Sequence, residues 1–258
     1  MCRMLAYLGN DIPLSKLILQ PSHSLEQQAW QPKELRETKL NADGFGFAWY
    51  NSESSDACRY RNILPIWNDP NLKHLAHSLS KPLWLAIIRS ATVGLNVSLE
   101  NTPPFTYKQW SFMHNGYLMD FDTQFRHKVR DVLSDKYLAL IRGSTDSEYI
   151  FALLMQLIEH QTPLTALQNC IQILAEIVQN EAALLNIILS DGQQVYALRH
   201  AINGLTPTLY YCNNSKEFGE GNLVIASERL NNEKQWNAVD EHVIYRFGSA
   251  KEFTRHPL

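Results

Sequence analysis

The sequence begins with MCRMLAY (residues 1–7), in which a cysteine follows the initiator methionine. The apolar residues of this segment predict a buried strand over residues 2–8. If Met1 is removed, Cys2 carries a thiol and a free α-amino group on one residue. Such an amine has a pKa of about 7.7–8.0 and can accept the proton of the thiol, so Cys2 can supply both a nucleophile and its base. The small cysteine side chain is compatible with removal of Met1, which the sequence alone does not establish.

Composition and charge narrow the class of protein. The chain has 258 residues, of which 45% are hydrophobic and 19% charged, with a net charge of −3. These values predict one domain over residues 1–258 and give no electrostatic reason to expect nucleic acid or an anionic membrane as a partner. No apolar run reaches the roughly 20 residues that cross a bilayer. We therefore predict no membrane partner.

The cysteines indicate the compartment. Cys2, Cys58, Cys170 and Cys212 are far apart in the sequence, so neither a zinc motif nor a disulfide framework is expected. The start of the chain also lacks the pattern of a signal peptide. We predict a cytoplasmic protein with no metal and no cofactor, in which Cys2 is free to react and the other cysteines are packing or surface thiols.

The order of predicted elements indicates the fold class. Helices are predicted over 25–30, 69–79 (capped by Asp69), from the Thr145–Glu148 capping-box pattern onward, and from Pro163 onward. Strands are predicted over 2–8, 45–50, 83–89, 110–116, 184–190, 194–199, 208–213, 222–227 and 242–247, and residues 51–60 are predicted to form a surface loop. Strands, a helix pair and strands again do not make a βαβ pattern. We predict an α+β fold of two antiparallel sheets, stacked face to face and flanked by helices.

Three further segments carry candidate site residues. Asn115 and Gly116 end the predicted strand 110–116 and would offer a side-chain amide and a backbone N–H to an oxyanion, although Asn-Gly is also a common hairpin turn. Arg89 ends an apolar strand and suits a bidentate carboxylate, whereas Asp146 begins a helix and suits a cation or a first-turn role. Arg89 and Asp146 together could hold the α-carboxylate and α-amine of an amino acid.

These segments, MCRMLAY, IRSATVG (88–94), HNG (114–116) and TDSE (145–148), together with NADGFGFAWY (41–50), resemble the class II glutamine amidotransferases, a branch of the N-terminal nucleophile (Ntn) hydrolases. The resemblance covers essentially the whole chain. It is strongest to stand-alone γ-glutamyl amidohydrolases of ergothioneine biosynthesis, through PSHSLEQQAW (21–30), RSATVG (89–94), NTPPF (101–105) and VIASERL (224–230).

The resemblance implies an αββα sandwich and a role for each site residue. Cys2 would be the nucleophile and its amine the base, with Asn115 and Gly116 as the oxyanion hole. Arg89, with Thr92 nearby, would bind the glutamyl carboxylate, and Asp146 would bind the amine. A γ-glutamyl thioester on Cys2 would then be hydrolysed to glutamate.

Departures from the family pattern leave alternatives open. Ser90 stands where an aromatic residue is usual, Val93 where a histidine is usual, and Leu40 where an arginine often stands. These changes favour a larger γ-glutamyl leaving group, such as a thiol compound, over ammonia. Breakdown of γ-glutamyl peptides or glutathione, a glutaminase subunit for a separate synthetase, and a non-catalytic amino-acid-binding protein are the alternatives. A homo-oligomer or a partner enzyme is compatible with each.

Three more residues have weaker predictions. By resemblance His23 lies near the site, but a loop-stabilising role is equally compatible with the sequence. Ser227 and Glu228 follow a predicted strand, and we interpret them as structural.

Overall fold

The structure is a computed structural model that describes residues 1–35, 40–91, 94, 96–249 and 252–258. Its strands are β1 Arg3–Pro13, β2 Phe45–Asn51, β3 Ser54–Asn62, β4 Ser80–Ile88, β5 Phe105–Tyr107, β6 Trp110–Leu118, β7 Ala183–Ser190, β8 Val195–Arg199, β9 Ala201–Ile202, β10 Tyr210–Asn213, β11 Leu223–Ala226, β12 Trp236–Ala238, β13 Val243–Ser249 and β14 Glu252–Pro257.

The helices lie mainly before β2, between β3 and β4, and between β6 and β7. The α-helices are α1 Ser15–Ile18, α2 Leu25–Trp30, α3 Leu72–Ser78, α4 Arg126–Asp131, α5 Asp135–Leu138, α6 Asp146–Ile158 and α7 Pro163–Val178. Short 3₁₀ turns cover Ile66–Asn68 and Lys216–Phe218, and a π-helical turn covers Phe121–Phe125.

The described strands form two antiparallel sheets. The first sheet has the order β12-β10-β11-β1-β4-β2-β3, and the second has the order β14-β13-β8-β7-β6-β5, with β9 paired to β7. Alternation along the strands divides the core into three layers. On β1, for example, Met4 packs between the sheets, whereas Leu5 packs on the outer face with α1 and α2. On the second sheet Phe112 packs against α6 and α7, whereas Met113 packs between the sheets. The predicted α+β arrangement, with stacked antiparallel sheets between helical layers, is confirmed.

The two long helices begin where the sequence predicts. Thr145 Oγ1 accepts a hydrogen bond from the Glu148 backbone N–H at 3.3 Å and caps α6. The Glu148 side chain does not complete the reciprocal capping box, because its carboxylate accepts the N–H groups of Arg142 and Gly143 instead. Pro163 opens α7 at a position where no backbone N–H is needed.

Three local predictions are wrong. Residues 51–60 do not form a surface loop, because Ser54–Asn62 pairs with β2 as an edge strand without a buried residue. The helix predicted over 69–79 forms but is shorter, Leu72–Ser78, so only its predicted bounds are wrong. Asp69 precedes this helix, and its carboxylate accepts the Asn71 N–H together with hydrogen bonds from the side chains of Tyr60 and Asn62.

The third error concerns Asn115 and Gly116, which do not end a strand at a turn. Strand β6 continues to Leu118, and both residues pair with β7, Asn115 opposite Asn186 and Gly116 opposite Leu185. The Asn-Gly sequence is compatible with either a turn or a strand, and pairing with the adjacent strand β7 makes it part of a strand.

Candidate active site

Four of the six predicted site residues line one cleft. These are Cys2, Arg89, Gly116 and Asp146, which come together at one end of the sandwich. Asn115 is adjacent to Gly116 but does not itself line the cleft. Thr92 lies outside the described residues, as does Val93. The fold thus gathers a thiol, a cation and an anion from three distant parts of the sequence.

Strand register places Cys2 beside Arg89. On the antiparallel β1–β4 ladder Arg3 pairs with Ile88, so Cys2 and Arg89 are the next residues opposite each other. Cys2 shares its face of β1 with Met4, and Arg89 shares its face of β4 with Ile87, both of which pack between the sheets. The half-buried Cys2 thiol donates to the Ser90 carbonyl oxygen at a Sγ–O distance of 3.8 Å.

Arg89 is a buried cation whose charge is not balanced by a neighbouring carboxylate. Its side chain is 4% exposed, and its guanidinium donates to the Asp43 carbonyl oxygen at 3.3 Å. No carboxylate among the described residues forms an ion pair with it. Burial lowers the pKa of Arg89, while the charges of Cys2 and Asp43 oppose that shift. A buried guanidinium in this state is suited to bind a carboxylate in a bidentate manner.

Asn115 has a side-chain amide that no described residue uses, and Gly116 follows it at a position where only glycine fits. Asn115 is fully buried, and its side-chain oxygen and nitrogen make no hydrogen bond with any described residue. It lies on the same face of β6 as Met113, which packs between the sheets on the side where Cys2 also projects. A Cβ atom at Gly116 would collide with the Leu184 carbonyl oxygen on β7, so only glycine fits there.

Asp146 is held as a fixed anion at the start of α6. One carboxylate oxygen accepts the Leu118 N–H at 2.7 Å, and the other accepts the Ser147 N–H at 2.7 Å and the Ser147 hydroxyl at 3.2 Å. These bonds join α6 to the strand that carries Asn115 and Gly116. The N-terminal end of the helix adds its own favourable field for a negative charge.

The structure adds His114, Asn101 and Ser147 to the cleft, which the sequence interpretation missed as site residues. His114 is 3% exposed and joins β7 to α6 through Leu184 O at 2.8 Å and Ser147 Oγ at 2.9 Å. Because a carbonyl oxygen only accepts, His114 Nε2 carries a proton that it donates to Leu184 O. The available sequence signal was that His114 directly precedes the Asn-Gly pair.

Asn101 connects the segment before β5 to the start of α6. Its side-chain oxygen accepts the Ser144 N–H at 2.8 Å, and its amide donates to the Asn96 carbonyl at 3.0 Å. The side chain is 4% exposed. Asn101 thereby ties the segment before β5 to the start of α6 within the lining of the cleft, a role that nothing in its local sequence indicates.

Glu228 occupies the centre of a buried polar cluster behind Cys2. Its carboxylate accepts His23 Nε2 at 2.7 Å and the N–H groups of Lys33 and Glu34 at 2.8 and 3.1 Å, and it forms an ion pair with Arg3 at 3.4 Å. Arg3 and Glu228 are each 1% exposed. His23 therefore has the loop-stabilising contact that was one of its two predicted roles.

Neither Cys170 nor Cys212 lines the cleft. Burial raises the pKa of the Cys170 thiol, and raises that of Cys212 to about 11. Both side chains are buried and free. Within the described ranges, no group of three or more His, Cys, Asp or Glu residues is arranged to hold a metal ion. None of the described helices is long and apolar enough to cross a membrane.

Comparison with known proteins identifies the family. The family model of the class-II glutamine amidotransferases matches residues 1–223. The chain is 38% identical over 166 residues to the "Probable glutamine amidotransferase DUG3" of Saccharomyces cerevisiae, covering 62% of this chain and 46% of that protein. It is 28% identical over 245 residues to the γ-glutamyl-hercynylcysteine sulfoxide hydrolase of Mycolicibacterium smegmatis, covering 95% of each. The chain thus spans less than half of the yeast relative and nearly all of the mycolicibacterial one.

The fold agrees with this assignment. The solved structure of a glutamine aminotransferase class-II domain protein from Silicibacter pomeroyi superposes with a TM-score of 0.74 at 26% identity, covering 100% of this chain and 99% of that one. Sequence match, fold and the cleft around Cys2 agree, and the chain belongs to the class-II glutamine amidotransferases, a family of enzymes.

Proposed function

We propose that this protein hydrolyses γ-glutamyl amide bonds, with Cys2 as the nucleophile after removal of Met1. The observation that carries the proposal is the shared cleft of Cys2, Arg89 and Asp146, which brings a thiol within one space of a cation and an anion. An amino-acid head offers the complementary pair, a carboxylate for Arg89 and an ammonium group for Asp146. A glutamyl group bound in this way extends its γ-carbonyl toward the thiol.

The first half-reaction forms a thioester. The Cys2 amine takes the thiol proton, and the sulfur attacks the γ-carbonyl carbon. The Asn115 amide and the Gly116 N–H are the donors proposed for the resulting oxyanion, in keeping with the unpartnered amide of Asn115. The C–N bond then breaks, and the leaving nitrogen takes the proton from the Cys2 ammonium group and departs as an amine.

The second half-reaction regenerates the enzyme. Water gives a proton to the Cys2 amine and attacks the thioester carbon. The C–S bond breaks, the sulfur recovers its proton from the ammonium group, and glutamate is released. One residue serves as nucleophile, base and acid, so no other base is required.

For the substrate we propose a small γ-glutamyl thiol compound in the cytoplasm, as in ergothioneine biosynthesis. Supporting this are the relative from Mycolicibacterium smegmatis, whose name states hydrolysis of γ-glutamyl-hercynylcysteine sulfoxide, and its alignment over 95% of both chains. Ser90, whose carbonyl accepts the thiol of Cys2, leaves more room than the usual aromatic residue. Glutaminase activity is the second candidate, favoured by the name of the yeast relative.

The test compares three preparations of the protein. Wild type with its N-terminus at Cys2, verified by mass, is compared with the same chain retaining Met1 and with Cys2→Ala. Each is incubated with γ-glutamylcysteine, glutathione and glutamine, and released glutamate is measured. We expect release by the first preparation only, with γ-glutamyl peptides ahead of glutamine. Comparable release by Cys2→Ala, or by the chain retaining Met1, would contradict the mechanism.

A further inference from the structure

A second cavity adjoins the cleft on the α-amine side of Cys2. Its lining includes Met1, Arg3, Glu34, Tyr117, Leu184 and Leu205. The side chain of Cys2 faces the cleft, whereas Met1, bonded to the Cys2 nitrogen, faces this cavity. Likewise Gly116 lines the cleft and Tyr117 lines the cavity. The nitrogen of Cys2 therefore lies at the boundary between the two spaces.

The geometry of the reaction places the glutamyl half of the substrate in the cleft and the leaving group on the side of the second cavity. The amine that protonates the leaving nitrogen must be within hydrogen-bond reach of it. With the glutamyl head between Arg89 and Asp146, the substituent on that nitrogen extends past the Cys2 amine. Removal of Met1 would free the amine and enlarge the cavity into which the substituent extends.

Arg3 is the unusual residue of this cavity. Its side chain is 1% exposed, and none of its three guanidinium nitrogens hydrogen-bonds to a described residue. Its ion-pair partner Glu228 has its oxygens supplied with donors by His23 and two backbone N–H groups. Buried donors without acceptors are costly, and such groups are normally completed by a ligand or water.

Among the described lining residues, the charged ones are Arg3 and Glu34. Glu34 is occupied, since its carboxylate accepts the Tyr210 hydroxyl at 2.8 Å. Burial lowers the pKa of Arg3, against the charges of Glu228, Cys2 and Glu34. The arginine fork is matched in shape by a carboxylate.

We propose that this cavity is the leaving-group subsite and that Arg3 selects leaving groups that carry a carboxylate, such as amino acids and short peptides. This inference rests on the proposed function, and it makes Arg3 a specificity-determining residue. Glutamine, whose leaving group is ammonia, gains nothing from Arg3. The apolar side chains of Leu184 and Leu205 provide contact for the remainder of the leaving group.

The test uses two nearly isosteric substrates, γ-glutamylalanine and γ-glutamylalaninamide, which differ in the carboxylate alone. For wild type with Cys2 at its N-terminus, we expect kcat/KM to favour the carboxylate by about tenfold or more, as for a charge-assisted hydrogen bond. Arg3→Gln should lose that preference, so that its kcat/KM values for the two substrates become equal. Glutamate release is the readout, and circular dichroism establishes whether the variant is folded.

Because Arg3→Gln leaves Glu228 without its cation and risks misfolding, Leu205 provides a second approach. Leu205 is 75% exposed at the rim of the cavity, so a charge there is compatible with folding. Leu205→Asp should lower the carboxylate preference, and Leu205→Lys should raise it, each by about threefold from a charge several ångströms away. Val132→Asp, an exposed position after α4, is the control and should change nothing.

The outcomes separate the two proposals. Equal hydrolysis of both substrates by wild type, or an unchanged preference in folded Arg3→Gln, overturns the assignment of Arg3 and leaves the proposed function standing. Failure to hydrolyse either substrate, together with failure on all γ-glutamyl compounds, overturns the proposed function and this inference with it. Opposite shifts in the two Leu205 variants support the subsite.

Discussion

The Asp146 carboxylate accepts a hydrogen bond from the Leu118 backbone N–H at 2.7 Å. This bond joins the first residue of α6 to the last residue of β6, and it fixes the distance between a proposed substrate-binding anion and the strand that carries Asn115 and Gly116.

Asp146→Asn should weaken binding of the substrate ammonium group. The amide oxygen can still accept the Leu118 N–H, so the fold should persist, but the negative charge is lost. We expect KM for γ-glutamyl substrates to rise about tenfold or more, as for the loss of a charged hydrogen bond, with a smaller effect on kcat. Steady-state kinetics measure this split. Asp122→Asn, on the exposed Asp122–Arg126 pair, is the control and should behave as wild type. An unchanged KM in Asp146→Asn would assign that residue to helix capping alone.

Arg89→Ala should raise KM because the glutamyl carboxylate loses a cation that is 4% exposed. The expected loss is about 1.5–3 kcal/mol, or roughly 10- to 150-fold. Arg59→Ala is the matched control, since Arg59 lines a different cavity between β3 and α6. Kinetics with γ-glutamyl substrates that match wild type would show that Arg89 is structural.

Gly116→Ala should destabilise the protein as well as inactivate it. The added Cβ would collide with the Leu184 backbone, and β7 must move to accommodate it. Overpacking of this kind costs about 3 kcal/mol in an unyielding site. Denaturant unfolding measures the loss. Gly248→Ala, where a Cβ meets open space, is the control. Equal stability of the two variants would mean that β7 yields freely.

Glu228→Gln tests the buried cluster through pH. Burial acts to raise the pKa of Glu228, but hydrogen bonds from His23 and the backbone and the charge of Arg3 outweigh it and hold that pKa below the usual value of 4.5. A lowered folded-state pKa means that the carboxylate contributes stability above pH 4.5 and loses it as pH falls through the folded value. At pH 7 the variant should be less stable by about 3 kcal/mol, because Arg3 loses its counter-charge.

The difference between Glu228→Gln and wild type should then shrink below pH 4.5. Urea unfolding of both proteins at pH 7, 5, 4 and 3.5 measures it, and the comparison cancels other titrating groups such as His200, whose pKa burial and His242 lower to about 4. A difference that stays constant across this range would show that ionised Glu228 contributes nothing to stability.

Elements with strong local signals were predicted well. Helix α7 has Pro163 at its start and apolar residues at helical spacing, so its sequence excludes other structures. Strand β3 was missed because it lies at a sheet edge, has no buried residue and is rich in polar residues, so its composition resembles that of a loop. The strand pairing that makes Ser54–Asn62 a strand comes from β2, which the local sequence does not reveal.

Some residues of the site were likewise predictable from the sequence, and others were not. Cys2, Arg89, Gly116 and Asp146 were predicted from their chemistry and from the family resemblance, and they share one cleft. His114 was missed because its hydrogen-bond partners, Leu184 and Ser147, lie on two other elements.

The sequence by itself determined the layered α+β fold and the types of group in the site, because periodicity, caps and residue chemistry are local properties. Tertiary structure alone decided that Asn-Gly lies within a strand, and that His23 meets Glu228 across 205 residues. It also decided that Arg3 is buried with unused donors. The physical reason is that burial and hydrogen-bond partners depend on which distant segments pack together, and no single segment contains that information.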